Sequence, residues 1–587
     1  MDRLTPRFVA VGMLVVSCGT ALSLADVRVV AVSGQPAVGL IDSTLLGFEP
    51  PVVAADGRIA YAATFLTRPA STGSVRGIWI VNETSTALLG AVGQQAAGAA
   101  TGTTFTSMQP DLISLGRTFS MSRDGEVITR VSVLGLDGTS RTGYWRLGAA
   151  SGPVVRLGDQ LASVGVAGSV SFLYYGSAGF PGGGVFNLAV TNGTNVVDGV
   201  WTDDGGELEL LLAEDQSLGG LPAGTTLAES SYVLRVGQDD YLFDSRLAGG
   251  SVTTQDDAVV LRLADGVASV VLREGATVAP GLTLGEMTQV AAATAERFVL
   301  AGEVRGAGVD ASNDFAVFAM RDGALRVVAR EGDAAPGGSA EERFDSVTTT
   351  ASVVGRVANV SIAASGDVTL FATLTGPAVT SANDTAIWRE TSVGLELLLR
   401  EGDPAPGLAS GIRVGQLRRP FSNAVGDMVF LSDLVDQAGT VRTNGALWYA
   451  PSGGPVRSVL TRGDALAVSS LVPADVRTVG TMALSRDFVE STAAGPLNDA
   501  GRIAVRVAFT DQTAAIVSID TKCDTIDFNR NGVFPEDQDV IDFFSVLAGG
   551  ECPYGAVCDI DFNNNGVFPE DQDVIEFFNA LAGGNCS

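Results

Sequence analysis

Near the C-terminus, Asp527, Asn529 and Asn531 stand at alternate positions and are followed by Gly532 and Val533. Side-chain oxygens at positions 1, 3 and 5 of a loop, a glycine at 6 where the chain turns sharply, and a backbone carbonyl at 7 make the near side of an EF-hand-like calcium site. Asp561, Asn563, Asn565, Gly566 and Val567 repeat the pattern. Calcium takes about six to eight hard oxygens, and alternating side chains on a curling loop deliver them to one centre. An EF-hand closes the site with an acid at position 12, where this chain has Gln538 and Gln572. We expect Asp539 and Asp573, one residue later, to close the two sites, with Asp537 and Asp571 as alternatives. Two calcium ions are predicted. The competing reading, an Asn-Gly turn capping a helix without metal, is weakened by the pattern occurring twice.

These residues must be carried by loop-helix units, and residues 526–552 and 560–586 are one such unit written twice with five differences. Pro535, Glu536 and Asp537 make a helix start and Gly549-Gly550 a stop. Between them Val540, Ile541, Phe543, Phe544, Val546 and Leu547 supply an apolar stripe, repeated as Val574, Ile575, Phe577, Phe578, Ala580 and Leu581. The tandem D-x-N-x-N-G loops and their helices resemble a dockerin domain, the module that docks to cohesin domains in calcium-dependent surface assemblies. The flanking cysteines and Ala-Gly-Gly-x-Cys endings are similar to the dockerin-like anchoring tails of exported planctomycete proteins, whose bodies carry tandem repeats. The resemblance covers residues 523–586 and implies a cohesin-like or other envelope protein as partner. It departs from the dockerin pattern in the extra loop residue, the Asn at position 5 and the cysteines, and it implies no activity for the body.

Residues 1–25 read as an export signal, with Arg3 and Arg7, an apolar run from Phe8 to Val16 and a Ser23-Leu24-Ala25 cleavage site. Val15-Val16-Ser17 before Cys18 offers the alternative of a lipoprotein signal with a lipidated Cys18. Either way the protein is expected to be secreted or at the cell surface, and no later stretch is long and apolar enough to span a bilayer. Cys523, Cys552, Cys558 and Cys586 lie in the tail, and an even count in a small exported module implies disulfides of undecided pairing.

The net charge is −29, of which residues 521–587 supply −11 through 13 acidic and 2 basic residues. This balance repels nucleic acid and suits cations. The chain has no histidine, which removes His-based general acid-base catalysis, Ser-His-Asp and Cys-His nucleophiles and His-ligated metals. No P-loop, Gly-x-Ser-x-Gly elbow, zinc ligand set or dinucleotide fingerprint is present.

The long body repeats one phrase: LLREGDPAPG (398–407), VAREGDAAPG (328–337), VLREGATVAPG (271–281) and weaker copies, with VVAVSGQPAVG (29–39) opening the mature chain. The glycine of "GD" falls at Gly34, Gly93, Gly158, Glu214, Gly275, Gly332, Gly402 and Gly463, a period of about 61 residues, in the range of propeller blades. A turn and strand recur in phase, as in AADGRIAYAATF (54–65) and NDAGRIAVRVAF (498–509). So does a bulky residue shortly before each "GD" after the first: Trp79, Trp145, Trp201, Val260, Phe318, Trp388 and Trp448. Four strands per period without helical periodicity predict an all-β body, a β-propeller over residues 26–520, followed by the helical tail at 521–587. Eight blades are expected, with seven as the fallback if the unit near 160–240 is incomplete. The last unit lacks a final strand, which Val27 to Val32 would supply to close the ring.

The tryptophans could be sugar platforms, but a bulky residue locked to one repeat position reads as core between blades. Asp159, Asp215, Asp333, Asp403 and Asp464 could ring the channel as catalytic or metal groups, but Gly-Asp at a strand end reads as a tight turn whose carboxylate accepts backbone N–H groups. The leading expectation is therefore a non-enzymatic binding or display scaffold of unknown ligand, with no catalytic residue assigned, held by the calcium-binding tail. The alternative is a propeller hydrolase or lyase acting on extracellular polysaccharide, since paired carboxylates can cleave glycosides without histidine. A non-repeated cluster of acids converging in the channel would favour the enzyme, and a channel lined by repeat-equivalent residues the scaffold.

Overall fold

The computed structural model describes residues 26–521 apart from 68–74, 83–84, 110–117, 149–150, 164–165, 179–182, 205, 219–220, 222, 348–359, 392–393, 469–474 and 486–492. In the tail it describes residues 526, 528, 536–550, 560–563 and 569–582. Asp26–Lys522 and the tail from Cys523 form separate compact units.

In the body, eight antiparallel sheets follow one another along the chain, each built on a four-strand meander, to which Gln160–Ser163, Thr277–Ala279 and Ala465–Ala467 add a short fifth strand in blades 3, 5 and 8. Blade 6 serves as the pattern. Its first strand is in two pieces, Arg343–Ser346 and Val360–Ile362, and pairs with Val368–Thr375, which pairs with Thr385–Thr391 and then with Gly394–Arg400. Each sheet packs on the next, and the eighth packs on the first through Arg502–Phe509 and Ala514–Asp520 against Val52–Val53 and Ser43–Phe48. The outer position of blade 8 is filled from the other end of the chain: Asp26–Val32 pairs antiparallel with Ala514–Asp520, Val27 opposite Ile519 and Val32 opposite Ala515. The ring is an eight-bladed propeller closed by its N-terminal strand, as expected. Blade 3 is complete, with strands Val166–Ala178, Gly184–Thr191, Val196–Asp203 and Glu209–Ala213, so the seven-blade fallback falls away.

The repeated phrase is the connector between blades, and each of its residues has a mechanical task. Its left-handed residue donates its N–H to the first strand of the next blade in all eight copies: Gly34 to Leu45, Gly93 to Phe105, Gly158 to Val170, Asp215 to Leu227, Gly275 to Leu284, Gly332 to Phe344, Gly402 to Val414 and Gly463 to Val479, at 2.7–2.9 Å. Every one of them has positive φ, from 62° to 106°, where glycine avoids the Cβ penalty. Blade 3 corrects the sequence register. The donor there is Asp215 (φ 62°) and not Glu214, because this copy lacks the glycine and aspartate is among the few residues tolerated in that region.

The arginine of "REGD" reaches back to the turn before the third strand. Arg330 donates from Nε to the Asn313 carbonyl at 2.7 Å, Arg400 to the Asn383 carbonyl at 2.9 Å and Arg273 to the Asp256 carbonyl at 2.7 Å. The glutamates Glu274, Glu331 and Glu401 are buried, and Glu401 accepts from the Thr385 hydroxyl at 2.7 Å. At the end of the phrase, Gly337 (φ 82°) lies so close to Leu397 that a Cβ would sit 2.6 Å from the leucine Cβ.

All five tryptophans are fully buried between blades. Trp79, Trp145 and Trp388 donate from Nε1 to the carbonyls of Val38, Ala97 and Pro336, each at 2.9 Å. The acceptors belong to the "APG" end of the connector, so the indole fills the core and pins the loop that links its blade to the one before. In blade 4 the corresponding residue is Leu261 and not Val260: the irregularity that precedes each tryptophan, as between Ile387 and Trp388, falls there between Val260 and Leu261. Both residues are fully buried, which is why spacing alone could not separate them.

Candidate metal centre and the propeller channel

In the tail, helix α1 spans Asp537–Leu547 and α2 Asp571–Leu581. The loop residues Asp527, Asn529, Asn531, Val533, Asn565 and Val567 lie outside the described residues, as do the four cysteines. Asp539, Asp561, Asn563 and Asp573 are described. Asp539 and Asp573 occupy the third position of their helices, where each carboxylate accepts the N–H of the capping glutamate: Glu536 N to Asp539 Oδ2 at 3.3 Å and Glu570 N to Asp573 Oδ2 at 3.1 Å. Each is thus half of a capping box.

Asp539, Asp561 and Asp573 are all buried. A helix cap alone does not explain this, since capping carboxylates usually stay in contact with water. At Asp573 the second oxygen, Oδ1, is buried without a hydrogen-bond partner among the described residues. Burial pushes the Asp573 pKa up, opposed by backbone hydrogen bonds from Glu570 and Asn563 and assisted by the charges of Asp561 and Glu570. Asn563 reaches Glu570 from its side-chain nitrogen at 3.5 Å. Asp561 and Glu570 thus lie near enough to Asp573 for their charges to act on it, with Asn563 beside Glu570. Glu536 and Glu570 were read from the sequence as helix starts, and the structure adds that each closes a capping box with the acid three residues on. The described residues supply part of each expected ligand set, and among them no group of three or more acidic or cysteine side chains is already gathered for a metal.

Below these acids the tail has a core of its own. Phe528, Phe543, Phe562 and Phe577 are buried together, and Phe543 stacks on Phe577 with centroids 4.2 Å apart and planes at 3°. Each unit contributes the phenylalanine after its first loop aspartate and one from its helix, so the two copies share one core. Val540, Val546, Leu547, Val574 and Ala580 pack against it, whereas Ile541, Phe544, Ile575 and Phe578 remain 39–58% exposed, with the Phe544 and Phe578 rings 6.0 Å apart.

In the propeller, the Gly-Asp carboxylates act as turn caps. Asp159 Oδ2 accepts from Arg156 N at 2.8 Å and Asp464 Oδ2 from Thr461 N at 2.6 Å. In blade 3 this place is taken by Gln216, whose Oε1 accepts from Ala213 N at 3.1 Å, and Asp215 stands in the glycine position instead.

At the opposite turns, five neighbouring blades are tied together. Ala364 N donates to Ala424 O at 2.8 Å, Asn423 Nδ2 to Asn498 O at 2.9 Å, Asn498 Nδ2 to Ala54 O at 3.0 Å and Ala55 N to Arg123 O at 2.6 Å, linking blades 6, 7, 8, 1 and 2. Residues 493–497 of blade 8 reach across blade 1, with Val53 N bonded to Gly495 O at 2.8 Å and Ala494 N to Met121 O at 2.7 Å. Arg123 and Asp499 pair at 3.2 Å beside them. Gly495 must be glycine here, since a Cβ would lie 2.1 Å from the Phe421 ring. The hollow that Val53, Arg123, Phe421 and Asp499 line is only about 20 Å³, room for water but far below the ~300–1,000 Å³ of a small-molecule site. Of the residues that line it, Ala55, Arg123, Asn498 and Asp499 belong to the repeated turn, while Val53, Phe421 and those of the 493–497 segment do not.

Fold and site together define a closed eight-bladed propeller followed by an acid-rich two-helix module. The chain belongs to a family of unknown function, DUF7453, whose sequence profile matches residues 109–519, from the end of the first strand of blade 2 into blade 8. No curated protein matches the chain. Among solved structures it is similar to the β-propeller domain of the Trilobed protease from Pyrococcus furiosus, with 8% identity and a TM-score of 0.32, covering 72% of this chain and 99% of that one. It is also similar to acylaminoacyl peptidase from Pyrococcus horikoshii, with 8% identity and a TM-score of 0.33, over 74% of this chain but only 57% of the peptidase. At these values the assignment of eight blades rests on the chain's own strand order and closure. Among the described residues no helix is long and apolar enough to cross a membrane.

Proposed function

We propose that this is an exported, surface-attached scaffold, with the propeller as a binding or display body and the tail as a calcium-stabilised, dockerin-like attachment module. The observation that carries the reading is Asp573 Oδ1, a buried carboxylate oxygen without a hydrogen-bond partner among the described residues, near the charges of Asp561 and Glu570. Burying such a group is costly unless a cation meets it. Asp561, Asn563, Glu570 and Asp573 would hold calcium with the remaining loop oxygens, and Asp539 has the equivalent place in the first unit. Bound calcium would supply the positive charge that lets these acids pack under the helices. The propeller supports the scaffold side of the reading, because its repeated arginines, acids and tryptophans are occupied in joining blades.

Ile541, Phe544, Ile575 and Phe578 would then meet a cohesin-like envelope protein, since among the described residues of the tail they are the large apolar side chains left exposed. The test is capture from the native cell envelope by the full-length chain, in calcium and in chelator, with Phe544→Asp/Phe578→Asp as the comparison. Calcium-dependent capture that the double variant loses, while its calcium titration is unchanged, is the expected result. Capture indifferent to chelator would remove calcium-dependent attachment.

A further inference from the structure

The first strand of blade 3 carries two aromatic residues that the repeat does not require. Two positions beyond the residue that accepts the connector N–H, blades 1 to 8 have Gly47, Ser107, Phe172, Glu229, Glu286, Ser346, Gln416 and Thr481. Only blade 3 places an aromatic there, and Phe172 is 43% exposed, so neither the fold nor burial accounts for it. Tyr174 backs it, with ring centroids 4.8 Å apart and planes at 56°. The Tyr174 hydroxyl lies 3.1 Å from both carboxylate oxygens of Asp198, which fixes the ring. Glu214 stands beside Asp198, donating its N–H to the Asp198 carbonyl at 2.8 Å, and burial, then the charges of Asp198 and Glu214, push the phenol pKa up to about 12. An exposed π face and two negative charges are thus held together at the edge of blade 3.

We propose that Phe172, Tyr174, Asp198 and Glu214 form a subsite for an organic cation of the guanidinium or ammonium type. A cation is attracted by the ring face and by both carboxylates at once. A neutral sugar would use the ring but gain little from two adjacent charges, and a nucleotide would bring phosphate against a chain of charge −29. The site is separate from the tail, so its failure would leave the attachment reading untouched.

The experiment is calorimetric titration of the full-length chain at low salt with N-acetylarginine amide, tetramethylammonium, a tetra-arginine peptide and a neutral β-glucan hexasaccharide. The cations are expected to bind, more weakly as salt rises. Phe172→Leu, which keeps apolar bulk but removes the π face, should weaken them roughly three- to tenfold with an unchanged melting temperature. Tighter binding of the peptide than of the amide would identify a peptide side chain as the source, and equal binding a free amine. The proposal is overturned if no cation binds at millimolar concentration, if Phe172→Leu leaves binding unchanged, or if the saccharide binds instead in a Phe172-dependent way.

Discussion

A buried carboxylate oxygen without a donor is costly in water-free surroundings, and among the described residues Asp573 Oδ1 is such an atom. Its contribution has opposite sign with and without a cation. Asp573→Asn is expected to lower calcium affinity of the second site about tenfold or more, while raising or leaving unchanged the melting temperature in chelator, because it removes an uncompensated charge. Calorimetric titration and paired melts would read both signs. Glu331 makes a second test at this scale. Burial raises its pKa to about 7, with Asp314 and Asp345 adding to the effect. The folded pKa exceeds the unfolded value of ~4.3, so the folded state holds the proton more tightly. The stability it contributes is full below the unfolded pKa and is lost as pH rises through about 7. Glu331→Gln should therefore flatten the decline in stability between pH ~4 and ~7, seen as a melting-temperature gain over the parent that grows with pH. A gain independent of pH would show that ionisation of Glu331 is not its cause.

At the scale of elements, the connector explains why one phrase persists through sheets of otherwise different sequence. It has to turn left-handed, donate to the next first strand, and seat an acceptor for the next tryptophan, and these tasks fall at fixed spacing. Asp215 is the copy that meets the first requirement without glycine. Asp215→Gly should stabilise the propeller by about 0.5–1 kcal/mol by relieving the left-handed Cβ, measured by denaturant unfolding. Gly402→Asp makes the same comparison in reverse and is expected to cost more, since its Cβ would meet Ala382 O at 3.1 Å and Asn383 Cβ at 3.2 Å. The connector's place in the chain was legible from its recurrence. Its exact register was not in blades 3 and 4, where Glu214 and Asp215, and Val260 and Leu261, are adjacent residues that only hydrogen bonding and strand pairing tell apart.

At the scale of the whole molecule, closure joins the two ends of the body. Asp26–Val32 is held by pairing with Ala514–Asp520, and the Ser33 hydroxyl exchanges hydrogen bonds with the backbone of Ala514 at 2.7 and 2.8 Å. Removing residues 26–32 leaves Ala514–Asp520 as an open sheet edge, which favours pairing with other chains. The truncated protein should unfold at lower denaturant and self-associate, visible by sedimentation. A monomer with parental stability would show that the ring does not depend on its N-terminal strand.

What the sequence determined by itself is whatever repeats: the period, the number of blades, the orphan strand that closes them, and the doubled loop-helix unit with its candidate acids. Repetition makes such features legible because each copy solves the same local problem with the same residues. What only the tertiary structure decided are relations between copies. The bonding of Gly495 across blade 1, the carboxylate of Asp198 on the aromatic pair of blade 3 and the shared phenylalanine core of the two helices each depend on groups brought together from distant or unequal parts of the chain. Strand periodicity carries no trace of those distances, because they are set by how the ring closes and how the two helices share one core.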